Sequence, residues 1–298
     1  MPRILNVDFY KVTISQDKYT GKNLDSILKQ AKSMPQKDRV KEVRNTPTFL
    51  HILNYGWNEC WEGEIVRLRM NNLPVKGSFS GNVEDINLAD DEGIGEQTAF
   101  IYHPETSILA LQSTQHGPSM MHFTRYFESI INCSDCINLD LVLQKDAIKR
   151  LEKMQTVSKF KVRIAKVENM KMLATEEHGV KEIIELSEYL EAPTIDVEIS
   201  NGRSKENALS VTKIKEMTQS LFRINKNQSK TVKTLRISGS SNDNEKIYID
   251  LIKDRMRESV SLNQSSKSRN IPYGEKQFAL REAWNRRESE ILSLYKPN

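Results

Sequence analysis

The sequence predicts an α+β fold, with mixed or antiparallel sheets and flanking helices arranged in two parts. Strand-like and helix-like segments are interleaved along 298 residues without a regular strand–helix–strand rhythm, which argues against a doubly wound parallel sheet. That length suffices for two hydrophobic cores. Charge separates the two parts, because residues 1–138 carry 14 Lys and Arg against 17 Asp and Glu, whereas residues 139–298 carry 30 against 23.

The domain prediction combines this charge asymmetry with the order of the elements. Residues 1–138 are predicted to form an acidic α+β domain, which the C-terminal helix within 271–298 joins. Residues 139–270 are predicted to form a basic α+β domain. A basic domain favours a polyanion as partner; an ordinary solvated surface with uneven charge is the alternative.

Apolar spacing predicts the elements of the first part. Residues 4–14, ILNVDFYKVTI, alternate and are rich in β-branched residues, which is typical of a strand. Residues 23–34 begin with an Asn or Asp cap and have apolar residues at helical spacing. The remaining predictions are two strands within 46–70, a polar loop, a strand–turn–strand unit within 98–113 and a helix at 119–133.

The second part is predicted from the same two periodicities. Its strands are CINLDLVLQ, SKFKVRIAKV, TIDVEIS and two within residues 231–262, joined by the polar turn SGSSNDNE. Its helices are DAIKRLEKM, a segment that stops before Pro193, and NALSVTKIKEMTQSLFRI. The linker NQSSKSRNIPYG then precedes the final helix at 275–295, which is expected to pack on the first domain or on a dimer mate.

Several features of the sequence predict where the protein is located in the cell. No segment approaches 18 uninterrupted apolar residues, and the N-terminus lacks the pattern of a signal peptide. Three cysteines, an odd number in a long chain, favour a reducing, cytoplasmic location. Cys133 and Cys136 form one CxxC without a second pair at zinc spacing, so we predict neither a metal site nor a cofactor.

Carboxylates offer two candidate metal sites, neither of them strong. The acidic run from Asp90 to Glu96 could ligate Mg²⁺, but the neighbouring strands supply no Lys, so a solvated loop is the preferred interpretation. Asp196 and Glu198 share a strand face, and with Lys205 they superficially resemble a nuclease site. Lys205 follows seven residues after Glu198, beyond a Gly turn. A Mg²⁺-dependent nuclease therefore remains the second hypothesis, and no catalytic residue is predicted.

Two segments of the second part concentrate positive charge. Residues 145–171 hold nine Lys and Arg against three acids, and residues 203–236 hold nine against two. Long cationic side chains on one face, with Ser, Thr and Asn donors between them, are what a phosphate backbone requires. We predict contacts to duplex DNA from Lys149, Arg150, Lys153, Lys159, Lys161, Arg163, Lys213, Lys226, Lys230, Lys233 and Arg236.

One stretch resembles a known family. Residues 88–127 contain the loop LADDE, two strand-like segments, a Gly-Pro step and an aromatic helix. In this order they resemble the Rex exclusion proteins of phage lambda, the RexA-like family, and the order of the later elements is also similar. The first 80 residues depart from that pattern. The matching positions are Leu88–Glu92, Gly93, Phe100, Ile108–Leu111, Gly117, Pro118 and Phe123–Phe127.

The resemblance implies a two-part RexA/RdgC-like architecture and a homodimeric DNA-binding protein of phage exclusion, or abortive infection. It also implies a separate membrane protein as effector and supplies no catalytic residue. On this basis the LADDE loop is a scaffold loop, and antiviral defence without catalysis is the predicted function. A third hypothesis is a protein-binding sensor that detects a phage component through the acidic half.

Overall fold

The chain forms two compact units, residues 1–139 with 257–298 and residues 140–256. The computed structural model describes residues 3–15, 18–19, 23–165, 179–202, 209–227, 232–241, 245–262 and 270–296. Antiparallel sheets and several helices occur, which confirms the α+β class.

The boundary of the second unit differs from the predicted 139–270. Residues Arg257–Leu262 form a strand that pairs with Arg3–Asp8 and therefore belong to the first unit. With this boundary the first unit carries 22 Lys and Arg against 22 Asp and Glu, and the second carries 22 against 18. The whole net charge of +4 thus falls on the second unit, and the first unit is neutral.

The elements alternate irregularly between strand and helix along the chain. In order they are β1 (Arg3–Ile14), α1 (Leu24–Ser33), β2 (Lys41–Glu42), β3 (Pro47–Tyr55), β4 (Trp61–Arg69), β5 (Lys76–Gly77), β6 (Val83–Glu84), β7 (Ile94–His103), β8 (Ile108–Ser113), α2 (Met120–Ile130), β9 (Ile137–Leu141), α3 (Lys145–Lys153), β10 (Thr156–Ala165), α4 (Val180–Tyr189), β11 (Thr194–Ser200), α5 (Val211–Asn227), β12 (Val232–Ser240), β13 (Lys246–Asp250), β14 (Arg257–Leu262) and α6 (Tyr273–Tyr295).

The first unit is built on an eight-stranded sheet in the order β14-β1-β8-β7-β4-β3-β2, with β9 also paired to β1. On one face the ring of Phe100 in β7 lies 5.1 Å from that of Phe123 and 6.3 Å from that of Phe127, both in α2. Gly63 in β4 is opposite Phe100, and a Cβ there would lie 2.5 Å from its ring. The absent side chain therefore lets the aromatic ring lie directly on the strand.

Helix α6 covers the other face of this sheet, as expected for packing on the first domain. It buries Ala279, Leu280, Ala283, Trp284 and Ile291, and Trp284 lies 5.4 Å from the ring of His103 in β7. The contact is also polar, because strand alternation points Glu62 and Glu64 of β4 at the same helix. No helix within the described residues is both long and apolar enough to cross a membrane.

The second unit has a four-stranded antiparallel sheet in the order β11-β10-β12-β13. Helices α4 and α5 pack on one face, because their apolar residues share a core with the inward side chains of the central strands. That core includes Phe160 of β10, Leu235 of β12, Ile184 of α4 and Leu221 of α5. No helix among the described residues covers the opposite face, and this exposed face carries the charged side chains.

Candidate nucleic-acid interface

The exposed face of the second sheet carries a cationic stripe along its two central strands. Lys159, Lys161 and Arg163 alternate along β10 and therefore share this face, as their spacing requires. Arg236 of β12 lies directly opposite Lys161. We call these four side chains the cationic stripe; on this face, neither central strand carries an acid among its described residues.

Carboxylates flank the stripe on both outer strands. On one side Asp196 and Glu198 of β11 lie opposite Arg163 and Lys161. On the other side Asp250 of β13 lies opposite Arg236. The outer strands are three strand spacings apart, roughly 14 Å, so the four cations occupy a band between two acidic borders.

Each cation of the stripe is paired with one of these carboxylates. The guanidinium of Arg163 binds Asp196 at 2.6–2.9 Å, and Arg236 Nε lies 2.9 Å from Asp250. Glu198 receives Lys159 Nζ at 2.7 Å and Lys161 Nζ at 3.4 Å.

The pairs formed by the three β10 cations are open to water, whereas the side chain of Asp250, which binds Arg236, is only 8% exposed. The side chains of the three stripe residues on β10 are 38–52% exposed. Exposed ion pairs contribute little to stability, because water screens them and ordering long side chains costs entropy. A phosphate can therefore replace a carboxylate here at small cost.

Neutral donors and one more cation extend the exposed face. Register puts Thr234, Ser238 and Ser240 of β12 on the same side as Arg236, and Lys246 of β13 lies opposite Ser240. Hydroxyl groups beside cations are the usual donors to phosphate oxygens. With Lys246 the face carries five cations against three carboxylates, an excess of two positive charges.

Helix α3 contributes two exposed lysines outside the cationic stripe. Lys149 and Lys153 are exposed on this helix and lie four residues apart, so both are accessible from one side. Arg150, which we also predicted to contact DNA, is already engaged. Its guanidinium lies 3.2 Å from a carboxylate oxygen of Asp254 and donates to the carbonyl of Tyr248 at 2.6 Å. It anchors α3 beside β13.

One of the other predicted contacts lies away from the stripe. Lys213 is exposed on α5, which packs on the opposite face of the sheet. Lys233 is exposed at the start of β12. Lys226 lies in α5, but its side chain is outside the described part of the chain, as is the whole of Lys230. The sequence therefore groups residues that the fold divides between two layers.

The alternative nuclease site has its two acids on one face, but cations surround them. Hydrogen bonding to Arg163 holds the pKa of Asp196 below its usual range, and hydrogen bonding to Lys159 does the same for the pKa of Glu198. Lys205 lies outside the described residues. In the described ranges, no group of three or more His, Cys, Asp or Glu side chains is arranged to hold a metal ion.

The remaining residues that the sequence offered as site candidates, the cysteines and the acidic loop, lie in the first unit. Cys60, Cys133 and Cys136 are free thiols, and burial raises the pKa of Cys60 and of Cys136 to about 12. Thiols with such pKa values are poor nucleophiles at neutral pH. The loop at Leu88–Glu92 precedes β7, and the side chain of Glu92 accepts a hydrogen bond from the backbone of Ala89 at 3.0 Å.

Sequence reasoning missed a second group of arginines, on β4. Arg67 and Arg69 share one face of this strand and both bind Glu96 of β7, which we had considered only as a member of the acidic run. Two arginines spaced two residues apart within a predicted strand are the available signal. Their carboxylate partner depends on the register between β4 and β7.

Comparison with known proteins finds a family but no activity. The sequence model of a family of unknown function (DUF6731) matches residues 2–272. No curated protein matches the chain. Neither result bears on the resemblance to the Rex exclusion proteins, which stays a prediction.

Proposed function

The chain belongs to the DUF6731 family of unknown function, and we propose that it is a DNA-binding protein of phage exclusion without catalysis of its own. The second unit contacts duplex DNA through the phosphate backbone, and the protein acts in the bacterial cytoplasm as a homodimer. The defence role, the dimer and a separate membrane effector rest on the resemblance of residues 88–127 to the RexA-like family.

The observation that supports DNA binding is the cationic stripe. Four cations in register on two neighbouring strands match a row of phosphates better than a patch of scattered lysines does. Lys161 and Arg236 are like charges directly opposite each other, an arrangement that needs an anion nearby to be stable. In the free protein Glu198 and the buried Asp250 supply that anion, and in the complex a phosphate replaces the exposed Glu198.

Carboxylates beside the stripe limit the affinity and provide a sharp test. Asp196 and Glu198 compete with phosphate for the same cations, so their neutralisation by Asp196→Asn and Glu198→Gln should tighten DNA binding. The same double variant would abolish cleavage if the two acids held a catalytic Mg²⁺. The double variant therefore separates the two hypotheses: tighter DNA binding favours the DNA-binding protein, and loss of cleavage favours the nuclease.

The experiment is a fluorescence titration of a labelled duplex at several salt concentrations, with and without Mg²⁺. Each phosphate contact contributes about 0.9 to the slope of log K against log salt. Lys161→Gln with Arg163→Gln should therefore lower that slope by about 2 and weaken binding at low salt. Lys76→Gln, which removes an exposed and ion-paired lysine of the first unit, should change neither quantity.

Three results would count against the proposal in different ways. An unchanged slope in the Lys161→Gln, Arg163→Gln variant would exclude the stripe as the contact surface. Mg²⁺-dependent loss of supercoiled plasmid that Asp196→Asn abolishes would favour the nuclease. Absent binding, or binding indifferent to salt, would favour the protein-binding sensor.

A further inference from the structure

A cavity of about 250 Å³ lies in the first unit, where β4 ends. The turn between β2 and β3 forms one wall, the last residues of β4 form another, and the start of β7 closes the third side. The polar residues that line it are Asn45, Thr46, Arg67, Arg69, Asn71 and Glu96. The cavity is therefore far more polar than a packing defect between apolar side chains.

Two arginines in this cavity share one carboxylate. Arg67 and Arg69 lie two residues apart on β4 and point to the same face. Glu96 is directly opposite Arg67 on β7, and its two oxygens bind Arg67 Nε at 2.6 Å and Arg69 Nη2 at 2.8 Å. The carboxylate is 10% exposed and the guanidinium-bearing side chains are 26% and 35% exposed. Glu96 thus orients both guanidinium groups and neutralises one of them.

The arginines keep unused donors. A guanidinium carries five N–H groups, and Glu96 takes one nitrogen from each arginine. Within the described part of the chain, no acceptor other than Glu96 binds the guanidinium group of Arg67 or Arg69. The polar side chains of Asn45, Thr46 and Asn71 line the same space.

The charge around the cavity is positive. Arg44 precedes Asn45 in the turn, and it forms no ion pair with any carboxylate in the described part of the chain. Burial, together with the charges of Arg67 and Arg44, lowers the pKa of the neighbouring His122 to about 4. His122 is therefore neutral at pH 7, and the two arginines that line the cavity exceed Glu96 by one positive charge.

We propose that this cavity binds a phosphoryl group, as inorganic phosphate or as the terminal phosphate of a nucleotide. Guanidinium groups bind phosphate oxygens in pairs of parallel hydrogen bonds, and two fixed guanidinium groups can hold two edges of one tetrahedral anion. The volume is below the roughly 300–1,000 Å³ typical of pockets for larger ligands, so the phosphoryl group enters and a nucleoside stays outside. This proposal is independent of DNA binding by the second unit.

Calorimetric titration of the full chain tests the site with three probes at constant ionic strength. The probes are inorganic phosphate, adenosine 5′-monophosphate and adenosine. Phosphate and the monophosphate should bind, and adenosine should not. A monophosphate that binds more than about tenfold tighter than phosphate would identify a nucleotide as the source, whereas similar affinities would identify free phosphate; a tenfold ratio corresponds to about 1.4 kcal/mol.

Two variants and a matched control link binding to the arginines. Arg69→Gln should weaken phosphate binding about tenfold or more, since a charged pair of hydrogen bonds is lost. Glu96→Gln removes the competing charge and should tighten binding severalfold. The control Arg286→Gln removes an exposed, ion-paired arginine of α6 in the same unit and should leave affinity unchanged.

The unfolding midpoint of each variant is measured first, so that a loss of affinity is not a loss of structure. If Arg69→Gln unfolds the protein, the Glu96→Gln result decides alone. The proposal is overturned if wild-type protein shows no heat of binding at millimolar phosphate, if Arg69→Gln and wild type bind equally, or if adenosine binds as well as its monophosphate.

Discussion

Lys276 of α6 and Glu64 of β4 form an ion pair inside the first unit, and removal of the lysine should destabilise that unit strongly. Lys276 Nζ lies 2.8 Å from Glu64 Oε1, and the two side chains are 4% and 1% exposed. Lys276→Met keeps an apolar stem of similar length but removes the charge. Glu64 then retains His51 Nδ1 at 3.0 Å, and that imidazole is half-exposed.

The magnitude follows from leaving a carboxylate without its buried cation. Such a substitution typically costs about 3–5 kcal/mol, because the remaining charge is not compensated by water. In a unit of this size, 1 kcal/mol lowers the unfolding midpoint by about 2–4 °C. The expected shift for Lys276→Met is therefore about 6–20 °C.

The assay is thermal and urea unfolding followed by tryptophan fluorescence. All three tryptophans, Trp57, Trp61 and Trp284, lie in the first unit, so the signal reports that unit specifically. The double variant Lys276→Met, Glu64→Leu should recover much of the loss, since it removes both charges.

Lys76→Met is the matched control, because it breaks an ion pair whose side chains are 73% and 66% exposed. It should leave the midpoint nearly unchanged. A loss below about 1 kcal/mol in Lys276→Met would refute the reasoning, since it would mean that the charge is not buried against the sheet as argued.

Two further predictions concern the same unit. The pKa of His122 is about 4 in the folded state against 6.5 in the unfolded state, so between these pH values only the unfolded state binds the proton. The free energy of unfolding should therefore fall by about 3 kcal/mol as pH falls from 6.5 to 4. In urea titrations His122→Gln should remove this pH dependence, whereas His116→Gln, at an exposed histidine, should leave it in place. Gly63→Ala adds a Cβ 2.5 Å from the ring of Phe100 and should lower the free energy of unfolding by about 1–3 kcal/mol in the same assay. Gly77→Ala, with no atom within 4 Å of the added Cβ, should leave it almost unchanged. Equal effects of the two substitutions would contradict the close packing of Phe100 on Gly63.

Local pattern predicted much of the fold and part of the candidate interface. The alternation of Lys159, Lys161 and Arg163 along a short strand fixes their common face, because successive side chains point to opposite sides. The spacing of Leu24, Ile27 and Leu28 similarly predicts the buried side of α1. Both predictions depend only on the spacing of residues within a single helix or strand.

Pairing between distant segments could not be predicted in the same way. Asp196 lies opposite Arg163 because β11 pairs with β10 in one register, and a shift of one residue would turn its carboxylate to the other face. The strand Arg257–Leu262 was assigned to the basic part because it follows β13 in sequence, whereas it pairs with β1 some 250 residues earlier. Glu96 was likewise grouped with its sequence neighbours instead of with Arg67.

The return of the chain to β1 has a consequence for the order of synthesis. The second unit is an insertion, since β9 before it and β14 after it both pair with β1. A ribosome completes the inserted unit at residue 256, whereas the first unit still lacks β14 and α6 at that moment. The inserted unit can therefore fold first, while Arg3–Asp8 of β1 lack the β14 partner and one face of the sheet lacks α6. Translation pauses after residue 256 would lengthen the exposure of that segment and raise the risk of aggregation.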